Sequence, residues 1–168
     1  TNADSSDLVF IRSLATRNHP GGLMDCLTPM VDILSECSWE NIVIETVGAG
    51  QSEIRVVAFA DRILLVDGPD RGDIIQAEKA GIMELADLIV INKSDLPEAE
   101  RAAKAVKSGL SVGENETTPD VLLVSAHSGE GIEEMVDALA STTTSPDRER
   151  LRVRERLISA WDSTLLTS

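Results

Sequence analysis

Leu88-Ile-Val-Ile-Asn-Lys-Ser-Asp95 is the stretch that decides how this chain is read. Four apolar residues, three of them β-branched, run straight into four polar ones. That pattern predicts a buried strand whose polar turn lies at the C-terminal edge of a sheet, where open α/β sheets bind ligands. The turn has the chemistry to read guanine. The Asp95 carboxylate can accept two hydrogen bonds, from the N1–H and the 2-amino group of that base. Adenine lacks this donor pair and leaves the carboxylate unpaired, a penalty of roughly 1–3 kcal/mol. Asn92 can tie the turn to neighbouring loops, and the Lys93 stem can lie along the base plane with its head in water or on backbone carbonyls. The plain alternative is a strand followed by an ordinary polar turn.

Outward from this stretch, apolar strands alternate with helical patterns. Upstream, strands are predicted at Leu8–Ile11, Asn41–Glu45 and Arg62–Asp67. Leu23, Leu27, Met30, Val31, Leu34 and Cys37 recur at helical spacing, so residues 23–37 read as an amphipathic helix, which Pro29 should kink or start. Ser52 can cap a short helix to about Ala60, and residues 74–86 read as another. Downstream, Pro97 opens a helix to about Lys107, residues 109–119 form a polar excursion, and Val121–Ser125 is a strand. Gly129-Glu-Gly131 leads into a helix to about Leu139. Strands that are apolar throughout, alternating with helices, predict an α/β fold: a mostly parallel sheet with helices on both faces. The partition expected is residues 1–141 as the sheet domain and 142–168 as a linker with a C-terminal helix. Leu151, Ile158, Trp161 and Leu165 are that helix's candidate apolar stripe, widened by Leu157. Arginines at 148, 150, 152, 154 and 156 scatter charge round it, which suits a solvated helix or a docking arm.

Composition bounds the function. The chain has 168 residues, enough for one domain with a real core. Net charge is −14, which argues against nucleic acid and anionic membranes as partners. There are two Phe, two Trp and no Tyr, too few for a base-stacking platform. Cys26 and Cys37, on one predicted helix, would sit roughly 16 Å apart, too far for a disulfide. They read as reduced core residues of a cytoplasmic protein. No apolar run reaches transmembrane length.

Other strand ends carry further candidates. Val124-Ser125-Ala126 would let backbone N–H groups approach the guanine O6, an acceptor where adenine has a donor. Glu45-Thr46-Val47-Gly48 ends another strand. An acid there can reach a magnesium ion through water, and the glycine N–H can touch a γ-phosphate. Gln51 could position an attacking water, though a surface glutamine reads the same. Asp67, Asp70 and Asp73 surround a glycine loop, as metal ligands or as mostly solvated acids.

Several stretches together resemble one family. They are Val9-Phe-Ile-Arg-Ser13, Gly21-Gly-Leu23, Glu45-Thr-Val-Gly-Ala-Gly-Gln-Ser-Glu53, and Gly72-Asp73 with Gln76. Gly81-Ile-Met-Glu-Leu-Ala-Asp-Leu-Ile-Val-Ile-Asn-Lys93 with Asp95, and Val124-Ser-Ala126 with Gly129-Glu-Gly131, complete the set. They resemble the methylmalonyl-CoA mutase-associated GTPases, the ArgK/MeaB-like proteins. The resemblance runs from about Val9 to about Leu139. It implies a P-loop GTPase that binds GTP or GDP with Mg2+ and acts as chaperone to a cobalamin-dependent acyl-CoA mutase, typically as a homodimer. It also implies roles: Glu45, Gly48 and Gln51 in the catalytic switch, with Glu45 on magnesium through water, and Asn92, Lys93, Asp95, Ser125 and Ala126 on the base. Some relatives carry an older label as transport ATPases for basic amino acids, a reading Asp95 opposes.

One signature of such proteins is missing. The phosphate loop needs Gly-x-x-x-x-Gly-Lys-Ser/Thr, and none of Lys79, Lys93, Lys104 and Lys107 follows a glycine. The loop and its strand are expected upstream of Thr1, making this the C-terminal part of a GTPase domain. In this division of GTPases that strand lies between those at 41–45 and 62–67, so its absence should leave two strand edges unpaired. Asn18-His19-Pro20 also departs from the family, which has glycine, a small residue and leucine there.

Overall fold

The computed structural model describes residues 9–14, 24–46, 60–69, 83, 85–110 and 118–143. Beyond these it describes 146, 149, 150, 153, 154, 156–158, 160 and 161. The chain divides into two compact units, residues 1–43 with 159–168, and residues 44–158.

The first unit contains helix α1, Met24–Glu36. Leu27 is buried among its described side chains, and Pro29 lies inside the helix without ending it. The helix stops through paired backbone bonds. Trp39 N–H donates to Leu34 O at 3.1 Å and Ser38 N–H to Ser35 O at 3.0 Å, with Ser38 in the left-handed region at φ 65°. This is the Schellman arrangement, in which glycine is the usual residue at the turning point. Cys37, expected in the core, is exposed instead, because it falls at this stop rather than on the apolar face.

The second unit holds the sheet. Strands β1 (Leu64–Asp67), β2 (Leu88–Ile91) and β3 (Asp120–Leu123) lie side by side in that order and are all parallel. The register sets Leu64 beside Leu88 and Leu88 beside Asp120. Helices α2 (Ala99–Leu110) and α3 (Ile132–Ser141) cover opposite faces. Side chains alternate along a strand, so β2 serves both. Ile89 and Ile91 pack with Ala99, Ala103 and Val106 of α2 and with Val121, whereas Leu88 and Val90 pack with Val124 and with Ile132, Met135, Ala138 and Leu139 of α3. All four β2 residues are about 1 % exposed. Burial of such side chains contributes roughly 1.5–3 kcal/mol each, which makes β2 the anchor of the unit. An α/β fold with a parallel sheet and helices on both faces is thus the architecture.

Asp87 fixes where β2 begins. Its carboxylate accepts the Ile63 N–H at 2.8 Å, and its own N–H donates to Ile63 O at 2.9 Å. The residue is buried, and the reciprocal pair locks the register of β1 on β2.

The expected strands at 8–11 and 41–45 do not form among the described residues. Val9, Phe10 and Ile11 are more than half exposed, and Phe10 rests its ring against Trp39 at 6.4 Å. Asn41–Thr46 carries no strand pairing, and Val43 is 91 % exposed. An apolar run becomes a strand only where a neighbour takes up its N–H and C=O groups, and among the described residues these two runs have none. The expected full burial of every strand holds for β2 but not for β1 and β3, the edges of the described sheet, where Val66 and Leu123 reach solvent. The strand predicted from Arg62 starts at Leu64, because Arg62 turns back to donate to Leu139 O near the end of α3. Pro97 lies in the turn before α2 rather than in its first turn. Every described residue from 146 to 161 is helical and exposed. Ile158, Trp161 and Leu157 therefore form no buried stripe, while Leu151 and Leu165 fall outside the described residues. The helices expected at 52–60 and, apart from Met83, Leu85 and Ala86, at 74–86 also fall outside them.

Candidate functional site

The site lies where β1, β2 and β3 end. Parallel strands bring their C-terminal ends to one edge, so Asp67, Asn92 and Val124 leave the sheet together. Backbone bonds then join the three loops. Asn92 N–H donates to Asp67 O at 2.8 Å, Val124 N–H to Ile91 O at 3.0 Å, and Ser94 N–H to Val124 O at 2.9 Å.

Two side chains complete the link. Asn92 Oδ1 accepts the Lys93 N–H at 2.8 Å and the Ala126 N–H at 3.0 Å. Ser125, fully buried, donates its hydroxyl to Asp95 Oδ1 at 2.7 Å and accepts the Ser128 N–H at 3.2 Å. Thirty-two residues lie between Asn92 and Ser125 in sequence, yet both loops are held as one piece. Lys93 sits at φ 61°, a left-handed conformation that costs a non-glycine residue roughly 1–2 kcal/mol. Its N–H on Asn92 and its C=O, which accepts Leu96 N–H at 3.0 Å, hold it there.

Asp95 is exposed at the rim, and its carboxyl is held below the usual carboxylate range. The Ser125 hydroxyl is the main cause and its own backbone N–H the second, with His127 and Lys93 adding positive charge and partial desolvation opposing. An ionised, oriented carboxylate that faces outward is an acceptor for a pair of N–H donors.

The loop after Ser125 is tightly built. Gly129 N–H donates to Ser125 O at 2.8 Å, and Ser125 N–H to Glu130 O at 2.9 Å. Gly131 has φ 74°, and a Cβ there would lie 2.5 Å from Leu123 O. Only glycine fits, and this close pass carries the chain from the Ser125 loop into α3.

Geometry of this kind, with both predicted loop signatures joined, makes comparison with known proteins informative. The family model for the methylmalonyl-CoA mutase-associated GTPase MeaB matches residues 1–163. This chain belongs to the MeaB family. A Pyrococcus abyssi protein provisionally described as a GTPase is 35 % identical over 154 residues, which cover 88 % of this chain and 48 % of that protein. The mitochondrial methylmalonic aciduria type A homolog of Mus musculus is 37 % identical over 136 residues, 77 % of this chain and 33 % of that protein. The GTPase ArgK of Escherichia coli is 32 % identical over 146 residues, 83 % of this chain and 44 % of that protein. The chain spans about half the length, or less, of these MeaB-family relatives.

The other half of the expected MeaB-family chemistry is not assembled by the described residues. Glu45 is exposed and belongs to no strand, while Gly48, Gln51, Asp70 and Asp73 lie outside the described residues. Asp67 spends one carboxylate oxygen on Gly68 N–H at 3.0 Å. Among the described residues no three of His, Cys, Asp and Glu come together as a metal site. No hydrolytic step is assigned to the described residues. Among them, too, no helix is long and apolar enough to cross a membrane.

One residue near the site escaped the sequence reading. His127 follows the small residue of the second loop, and only the folded loop brings it beside Asp95.

Proposed function

We propose that this chain is the base-reading portion of a GTPase that acts as chaperone to a cobalamin-dependent acyl-CoA mutase. The observation that carries the reading is the Ser125–Asp95 hydrogen bond, made across the ends of adjacent parallel strands in a MeaB-family chain. It orients the Asp95 carboxylate toward solvent, where the N1–H and 2-amino group of guanine would meet it. Membership of the family and the names of the relatives support GTP or GDP as the nucleotide, with Mg2+ as its counter-ion. The word mutase in the family's description supports the partner. We place the protein in the cytoplasm as a homodimer, with no nucleic acid and no membrane among its partners.

The phosphate half of the reaction needs a Gly-Lys-Ser/Thr loop, and the sequence holds no Gly-Lys pair. Most phosphate-binding energy comes from that loop's backbone N–H groups and lysine. The 168 residues alone therefore bind GTP weakly and hydrolyse it negligibly. Calorimetry with GTP tests this, and micromolar affinity would refute it.

A second reading is favoured by the described residues between 146 and 161, all of them helical and exposed, which include Leu157 at 67 % and Val153 at 44 %. On this reading the domain is a non-catalytic interaction module and the base loop a scaffold. Co-sedimentation with a cobalamin-dependent mutase separates the two. Nucleotide-dependent association supports the GTPase chaperone, association indifferent to GTP supports the module, and no association removes both.

A further inference from the structure

One oxygen holds two amides at the base loop. Lys93 N–H and Ala126 N–H both reach Asn92 Oδ1, at 2.8 and 3.0 Å. Both are donors, so the atom between them is the side-chain carbonyl oxygen and not the amide nitrogen. Ala126 N–H is also the donor expected to meet a 6-oxo group. An N–H has one hydrogen, so a purine carbonyl arriving here meets a donor already engaged. The backbones on either side are fixed by Asn92 N–H to Asp67 O and Ser94 N–H to Val124 O. The half-buried Asn92 side chain is the part free to give way, next to an exposed Ala126.

We propose that Asn92 is a latch on the Ala126 amide, which a 6-oxo purine opens by taking over that hydrogen and a 6-amino purine does not. The inference rests on the guanine-reading assignment above. A 6-oxo group offers an acceptor, so displacement exchanges one N–H···O bond for another and is nearly neutral. A 6-amino group offers a donor. Opening the latch for it would set donor against donor, so the latch stays closed. The Asn92 side chain thus acts as a competitor that sharpens base choice, in addition to tying the two loops together.

The test uses the full chain labelled with 15N, with guanosine and adenosine as probes. Guanosine should shift the Ala126 amide and the Asn92 side-chain NH2 resonances together, and adenosine should shift neither. Asn92→Asp places a charged acceptor on the same amides, and charge-assisted bonds are roughly twice as strong. It should weaken guanosine binding by up to about tenfold without lowering the melting transition. If guanosine moves the Asp95 and Ser125 signals but leaves Ala126 and the Asn92 side chain still, the latch is wrong and the base reading stands. If guanosine moves none of residues 92–95, the base reading fails and the latch with it. Unchanged affinity in a folded Asn92→Asp protein also overturns the latch.

Discussion

Ser125 Oγ lies 2.7 Å from Asp95 Oδ1 and donates its proton to it. The bond orients the carboxylate that we assign to guanine, and it joins a fully buried residue to an exposed one. Ser125→Ala removes it. Asp95 then returns toward the ordinary carboxylate pKa. Asp95's folded pKa is depressed, so its stabilising contribution is present above the unfolded pKa and is lost as pH falls through the folded value. Thermal melts of wild type and Ser125→Ala should therefore differ more at neutral pH than in acid below the carboxylate range. A difference independent of pH would mean that Ser125 acts by packing alone.

Gly131 and Gly129 have similar backbone angles, φ 74° and 83°, but different surroundings. A Cβ at Gly131 meets Leu123 O, whereas nothing lies within 4 Å of one at Gly129. Gly129→Ala should cost about 1 kcal/mol for the left-handed backbone alone. Gly131→Ala should cost at least about 2–3 kcal/mol, because backbone must move as well. Urea unfolding of both variants gives the comparison, and equal losses would contradict it.

Ser38 ends α1 in the left-handed region at φ 65°. Ser38→Gly should stabilise the protein by roughly 0.5–1 kcal/mol, since glycine adopts this conformation without steric cost. A loss of stability in chemical denaturation would show that the Ser38 side chain matters more than its backbone angle.

Asp87 is 3 % exposed and accepts the Ile63 N–H. Asp87→Ala leaves that amide without its carboxylate, at a cost of about 1–3 kcal/mol. Slower-exchanging amides in β1 should lose protection before those of α3. Uniform loss across the unit would point to global destabilisation instead.

Much of this architecture was legible in sequence. Leu88–Ile91 announced itself because both faces of a central parallel strand are covered, and an unbroken apolar run has few other uses. Asn92, Asp95 and Ser125 were legible because spacing after two strands brings them to one edge. Asn41–Glu45 looked equally apolar, yet it forms no strand. Whether such a run pairs depends on which neighbour lies beside it, and that is a property of the fold rather than of five residues. The double use of Asn92 Oδ1 was hidden for the same reason: Ala126 N–H approaches it only after β2 and β3 have paired. Asp87, present in sequence only as one residue of the Gly81–Lys93 stretch, is the register pin.

The central claim is that Asp95 chooses guanine, and ligand-detected saturation-transfer NMR on the whole chain measures it most directly. Guanosine and adenosine are compared against wild type and Asp95→Asn. The account predicts at least about tenfold preference for guanosine in wild type, collapsing in the asparagine variant while the fold persists. Equal binding of the two nucleosides by wild type, or a guanosine preference that survives Asp95→Asn, would contradict it.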